Sequence, residues 1–109
     1  MICDSFEVVA VPFPFTETVG TKRRPALVVS KKAFNERGHT IMGMITTKDH
    51  HPWPGDTVIE DLASAGLHTS CIVRLKIFTL DNRLIIKKIG TISKGDQATV
   101  IKQLRHALI

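Results

Sequence analysis

The hydrophobic period of this chain changes once, and that change limits the folds open to it. Through Gly90 the apolar residues come in short, largely β-branched runs cut by Pro, Gly and Asn. Beyond Ser93, by contrast, Val100, Ile101, Leu104 and Leu108 recur at three- and four-residue spacing. A period of two followed by a period near 3.6 predicts strands followed by one terminal amphipathic helix, over about residues 96–108. Ser93 with Asp96 three residues later resembles a capping box at its start. A sheet of five or six short strands in 109 residues removes its open edges most simply by curling on itself. The expected class is therefore mainly β (α+β), a small antiparallel β-barrel closed by a C-terminal α-helix.

The individual strands follow from the same pattern. Residues 6–13 (FEVVAVPF) carry one charge and end at prolines, which reads as a buried strand. Residues 16–24 contain Gly20, Lys22-Arg23-Arg24 and no apolar residue but Val19, which predicts an exposed loop, with a strand resuming at Pro25 and running to Ser30. After a turn at residues 35–38, residues 39–47 (HTIMGMITT) form another strand, ending in two hydroxyls, Thr46 and Thr47. Pro52, Pro54 and Gly55 make residues 48–56 a loop, with Trp53 inside it. Residues 57–59 read as a short strand, 61–66 as a turn or single helical turn, and 70–78 (SCIVRLKIF) as a strand with Arg74 and Lys76 on one face. A turn at residues 80–83 leads into Leu84-Ile85-Ile86. No repeat, linker or second domain interrupts residues 1–109.

Composition narrows the function. At 43% hydrophobic and 23% charged residues the chain has a globular composition, and its size buries one modest core without metal or disulfide. Fifteen Lys and Arg against ten Asp and Glu give +5, a balance suited to polyanions or acidic partners. No apolar stretch approaches a membrane span and residues 1–5 lack the features of a signal peptide, so a cytoplasmic protein without a membrane partner is expected. The two cysteines, Cys3 and Cys71, lack CxxC spacing and read as reduced thiols, Cys71 in a buried strand. Tyr is absent and Trp53 is the single Trp, so nucleic-acid contacts must rest mainly on Arg and Lys.

There is no GxSxG, HExxH, P-loop or Gly-rich dinucleotide turn, and the five histidines lack zinc-ligand spacing, so neither a metal nor another cofactor is expected. His50 and His51 are adjacent in a loop, where a solvated pair and an acid–base pair are equal alternatives. Lys22-Arg23-Arg24 is the densest cationic cluster; such a run by itself reads as a solvated face, though a guanidinium can grip phosphate oxygens through two parallel hydrogen bonds. Thr46 and Thr47 end a strand beside the 48–56 loop; by themselves they read as ordinary strand-forming threonines, though hydroxyls at such a strand end can hydrogen-bond a phosphate. A cation in the apolar run around Arg74 is costly unless a carboxylate or a ligand meets it.

Together, Val11-Pro12-Phe13-Pro14-Phe15-Thr16 and the following Gly20-Thr21-Lys22-Arg23-Arg24-Pro25-Ala26-Leu27-Val28-Val29-Ser30 resemble the N-terminal signature of the MazF/PemK family of toxin endoribonucleases. Ile45-Thr46-Thr47 resembles the end of that family's central strand, and residues 72–90 its last strand pair. The resemblance implies an SH3-like barrel of PemK type and a homodimer. It also implies metal-independent cleavage of single-stranded RNA at short motifs, leaving a 2′,3′-cyclic phosphate and a 5′-hydroxyl. It assigns the catalytic centre to Arg24, which would stabilise the phosphorane and is a candidate to protonate the leaving oxygen, and to Thr46, which would orient the phosphate.

Thr16, Glu17, Lys22, Arg23, Thr47, Lys48, His50, His51, Trp53, Arg74 and Lys76 are the candidate RNA or phosphate contacts. Lys76 stands where some relatives carry an acidic residue, which leaves Glu17, His50 and His51 as alternatives for the general base. The resemblance further implies an acidic, partly disordered antitoxin that covers the RNA groove, with DNA contacted only through it. Trp53 is a candidate to stack on a base, to anchor that antitoxin, or to plug the barrel mouth. Two other classes compete with the ribonuclease: a non-catalytic module of the same fold acting on a protein target such as DNA gyrase, and a plain nucleic-acid-binding domain.

Overall fold

In the computed structural model, residues 1–13, 22–48 and 51–109 are described. Among the described residues, six strands form one antiparallel sheet: β1 (Glu7–Phe13), β2 (Lys22–Val28), β3 (His39–Thr47), β4 (Thr57–Val58), β5 (Cys71–Asp81) and β6 (Lys87–Thr91). Their order across the sheet is β4-β5-β3-β2-β1-β6. Accompanying them among the described residues are three helices, α1 (Lys32–Asn35), α2 (Leu62–Ala65) and α3 (Lys94–Leu108), and a 3-10 turn over Asn82–Leu84.

The two faces of the sheet carry separate apolar clusters. Val8, Leu27, Ile45, Cys71 and Val73 join Ile59, Ala65, Ile92 and Val100 on the face covered by α2 and α3. Val9, Val11, Ala26, Val28 and Met42 join Cys3, Leu80 and Ile85 on the other face. β1 is thus buried on both sides, which is why its sequence is a nearly unbroken apolar run rather than an alternating one.

The sheet curls because its two end strands are bridged. β4 leads into α2, whose C-terminus backs onto β6 so closely that a Cβ on Gly66 would stand 2.4 Å from the Ile89 carbonyl oxygen, and one on Gly90 2.5 Å from the Ala65 backbone. Gly66 also holds the left-handed conformation that ends the helix, at φ 74°. Asp61 starts α2 by accepting from Ser64 N–H at 3.0 Å and from its hydroxyl at 2.8 Å. α3 is tied to the same corner. Ser93 caps it, accepting from Asp96 N–H at 3.2 Å. The Asp96 carboxylate does not return to Ser93 as a capping box requires. It accepts instead from the backbone N–H of Glu60 and Asp61 at 3.1–3.2 Å, pinning the helix to the chain leaving β4.

Three boundaries depart from the sequence pattern. β2 begins at Lys22, not Pro25, because β1 extends to Phe13 and supplies partners for Lys22, Arg23 and Arg24. The opposite edge of these residues is not paired to β3, whose ladder with β2 starts at Ala26, so three exposed cations are tolerated in a strand. The last strand is Lys87–Thr91 rather than Leu84-Ile85-Ile86. Asp81 accepts from Arg83 N–H at 2.9 Å and starts the 3-10 turn, and β6 is an edge strand paired only with β1, which suits its exposed lysines. The helical turn α1 was not signalled by period or side-chain cap, and it exists because Asn35 is fully buried. Asn35 donates to the Cys3 carbonyl at 2.8 Å, pairs with the Ser30 hydroxyl, and lends its own carbonyl to Asn82 at 2.6 Å. Both Cys3 and Cys71 are buried free thiols. No helix among the described residues is long and apolar enough to cross a membrane.

Candidate functional site

The β2–β3 register decides which of the predicted residues meet. Ala26 pairs with Met44 at the last rung of the β2–β3 ladder, and Arg24 and Thr46, two residues beyond it on their respective strands, both line the pocket there. On the other side of β2, Val11 of β1 pairs with Arg24 and Phe13 with Lys22. These residues, with Pro25, Ala26, Ile45 and Phe78, line one pocket of about 210 Å3. Lys22 is not among the lining residues.

The pocket combines one charged donor and one hydroxyl with an apolar wall. Arg24 is exposed and Thr46 half-buried, so both present polar groups at the solvent side, while Val11 and Ala26 are buried beneath. Phe13, 40% exposed, and Phe78 add aromatic surface. At about 210 Å3 the pocket is smaller than the roughly 300–1,000 Å3 of a typical small-molecule site, a size suited to one unit of a longer ligand. Its chemistry fits a phosphodiester: a guanidinium for the anionic oxygens, a hydroxyl to orient them, and apolar faces for the attached base.

Arg74 meets a carboxylate. Its Nε donates to Asp56 Oδ1 at 3.1 Å and its Nη2 to Asp56 Oδ2 at 3.0 Å, and Nη2 also donates to the His51 carbonyl at 2.8 Å. These bonds tie the guanidinium to the 51–56 segment. The cost of a cation in that strand forecast such a partner, but not which acid supplied it, because loop geometry leaves no periodic trace. Lys76 lies at a bulge: Met44 pairs with Arg74 but Gly43 with Ile77, so Leu75 and Lys76 are extra residues in β5. Its ammonium sits 4.5 Å from the centroid of the Trp53 ring.

The remaining candidates fall elsewhere. Arg23, Thr47 and Lys48 are exposed but do not line the pocket, and strand alternation puts Arg23 and Thr47 on the face opposite Arg24 and Thr46. Thr16, Glu17 and His50 lie outside the described residues. His51 is exposed, with its carbonyl held by Arg74. Among the described residues no group of three or more His, Cys, Asp and Glu is arranged to hold a metal ion. Residues not singled out from sequence, chiefly Phe13, Met44 and Phe78 in the pocket and Asp56 as the partner of Arg74, are hidden in ordinary strand and loop patterns.

Comparison with solved structures agrees with this architecture. The crystal structure of MazE-MazF from Deinococcus radiodurans is similar at a TM-score of 0.75 and 23% identity, covering 99% of this chain and 97% of that one. An endoribonuclease in complex with its cognate antitoxin from a mycobacterial species gives 0.73 and 18%, over 97% and 94%. The Mycobacterium tuberculosis toxin MazF-mt6 gives 0.74 and 14%, over 93% and 94%. No curated protein sequence matches the chain. The family model of the PemK-like, MazF-like toxin of type II toxin-antitoxin systems matches residues 4–108, nearly the whole sequence, and the chain belongs to that family.

Proposed function

We propose that this toxin is a sequence-specific endoribonuclease that cuts single-stranded mRNA at the Arg24–Thr46 pocket without a metal. The observation that carries the reading is the convergence of Arg24 and Thr46 on one pocket with aromatic walls. In the proposed reaction the ribose 2′-oxygen attacks the adjacent phosphorus while its proton leaves to a base. The P–O5′ bond then breaks and O5′ takes up a proton, giving a 2′,3′-cyclic phosphate and a 5′-hydroxyl. Arg24 neutralises the charge that builds on the phosphorane oxygens, and Thr46 holds the phosphate in line. Glu17, His50 and His51 are the candidate bases.

The further parts of the reading concern partners. The mycobacterial endoribonuclease is in complex with its cognate antitoxin and the Deinococcus structure is a MazE-MazF pair, and the +5 charge of this chain suits an acidic partner of that kind. A homodimer acting in the cytoplasm, touching DNA only through its antitoxin, completes the proposal.

The test is incubation of the purified toxin with a long single-stranded RNA in excess EDTA, with Arg24→Ala as control and end-group analysis of the products. Discrete fragments ending in cyclic phosphate, absent with the variant, are the expected result. Intact RNA from folded protein would overturn the reading, and inhibition of DNA gyrase in its place would select a protein target.

A further inference from the structure

We infer that Pro25 is a positioning residue that splits the sheet at the pocket, and that the Ile45 carbonyl oxygen it leaves unmatched recognises substrate. That oxygen takes a hydroxyl or N–H donor of the nucleotide whose phosphate sits at Arg24 and Thr46. This rests on the ribonuclease reading and adds a recognition element to its site.

β2 is an interior strand between β1 and β3, and Pro25 stands in its middle. Proline is rare in such a place because it has no N–H to give a ladder. The backbone groups of successive residues turn to the two neighbouring strands alternately, so nearby hydrogen bonds tell which ladder goes short. Val29 N–H donates to the Ile41 carbonyl at 2.9 Å, so Val29 turns toward β3, as do Leu27 and Pro25 at two-residue steps. Phe6 N–H donates to the Val28 carbonyl at 2.7 Å, so Val28, Ala26 and Arg24 turn toward β1. From β3, Lys48 N–H donates to the Ser70 carbonyl at 3.2 Å, so Thr46 turns toward β5 and Ile45 toward β2. Pro25 and Ile45 therefore face each other one step beyond the Ala26–Met44 rung, where the β2–β3 ladder ends. Pro25 can accept from Ile45 but cannot donate back, and the Ile45 carbonyl loses its ladder donor.

Both lips of the split are held from behind. β2 stays paired with β1 through Arg24–Val11 to Lys22–Phe13, and β3 with β5 through Thr46–Ile72 to Thr47–Cys71. The pocket lies on this split: Arg24, Pro25 and Ala26 line it from one lip, and Met44, Ile45 and Thr46 from the other. Ile45 is buried, which raises the value of any donor a ligand brings to its carbonyl. Phosphodiester oxygens bring none, so the phosphate belongs with Arg24 and Thr46. The Ile45 carbonyl is bonded directly to the Thr46 nitrogen, and the donors nearest a phosphate held there are the ribose 2′-hydroxyl and the N–H groups of the attached base.

The probes are the nucleoside 3′-monophosphates of the common bases and their 2′-deoxy counterparts, which offer phosphate, sugar and base with no bond to cleave. Binding is followed by chemical-shift titration. A preference of about 2- to 10-fold for the ribose form, whatever the base, is expected if the 2′-hydroxyl is the donor, and the same preference for particular bases in both sugar forms if the base edge is. Pro25→Ala sets an N–H opposite the Ile45 carbonyl. Its new amide should exchange slowly with solvent, the preference should vanish, and cleavage should fall. N-methylalanine at position 25, introduced by ligation of synthetic segments, lacks both the ring and the N–H and should keep the preference.

A parent protein that binds none of the nucleotides, or all of them alike, overturns the inference whatever the variants do. So does a Pro25→Ala variant that keeps the preference, or one whose new amide exchanges as freely as an open one. Loss of the preference with N-methylalanine as well overturns it too, and assigns the effect to the shape of the ring. If the EDTA assay gives cleavage alongside any of these results, only this recognition element falls. If the RNA stays intact and no nucleotide binds, the ribonuclease reading falls with it.

Discussion

Arg74 and Asp56 are joined by two parallel N–H···O contacts of 3.1 and 3.0 Å, with side chains only 11% and 19% exposed. The pair ties the strand β5 to the loop that precedes β4. A bidentate, largely desolvated pair differs from a surface ion pair, because removing one partner strands the other's charge in a poorly solvated place. Asp56→Ala should therefore lower stability by about 2–3 kcal/mol. A urea midpoint that falls with an unchanged slope is the expected observation. Arg74→Met combined with Asp56→Ala should recover part of the loss, since no stranded charge remains.

Arg24 presents the opposite case. It is exposed in the first half of β2 and lines the pocket, so its loss should leave the fold nearly untouched. Arg24→Ala should change stability by no more than about 0.5 kcal/mol while reducing the cleavage rate by about 10²–10³. Arg24→Lys keeps the charge but not the fork and should recover only a small part. Thr46→Val, which removes the hydroxyl and keeps the shape, should lower the single-turnover rate by about 10-fold, the size of one neutral hydrogen bond. Single-turnover cleavage of an RNA carrying the mapped motif, beside thermal unfolding of the same variants, separates the two effects.

The parts of this molecule that were legible in its sequence are those governed by period. The double-faced burial of β1, the strand His39–Thr47 and the terminal helix all follow from spacing of apolar residues. Arg24 and Thr46 stood out for their chemistry, but their meeting depends on the β2–β3 register, which no local pattern encodes. Lys22-Arg23-Arg24 looked like a loop because strand propensity is local, whereas the pairing that makes it a strand comes from Phe13, Pro12 and Val11. Asp96 carried a capping signature, yet its carboxylate serves Glu60 and Asp61, thirty-five and more residues away in sequence. Long-range partners of this kind are set by the closure of the sheet.

That closure makes its own forecast. Gly66 and Gly90 face each other's elements across the seam between α2 and β6, with less than 3.0 Å of room for a Cβ against backbone atoms. Backbone cannot swing aside as a side-chain tip can, so Gly90→Ala must push the helix from the strand. A loss of about 2–4 kcal/mol is expected, near the upper end for single substitutions. Gly66→Ala adds strain at φ 74° to the same collision and should cost at least as much. Gly38→Ala is the control: its φ is 115° but no atom lies within 4 Å, so it carries backbone strain alone and should cost less than either. Thermal unfolding of the three variants ranks seam against strain.

The acid side of the stability profile should carry the mark of Asp81. Arg83 donates its Nε and Nη2 to the Asp81 carboxylate at 3.1 and 2.9 Å, and these bonds, with one from the Arg83 backbone N–H, hold its pKa down at about 2. The group is therefore ionised in the folded protein over a range where the unfolded chain, near the ordinary value of 3.8, already takes up a proton. A carboxylate lowered in this way adds stability above the unfolded pKa and loses it as pH falls through 3.8 towards 2. Asp81→Asn should flatten the decline of the urea midpoint between those two values. Because Arg83 is 89% exposed, the Coulombic share of the effect is open to screening. The difference between parent and variant should accordingly shrink when the same series is repeated in concentrated salt. A difference that is unchanged by salt would mean that the backbone N–H bond to Asp81, and not the guanidinium, holds the carboxylate down.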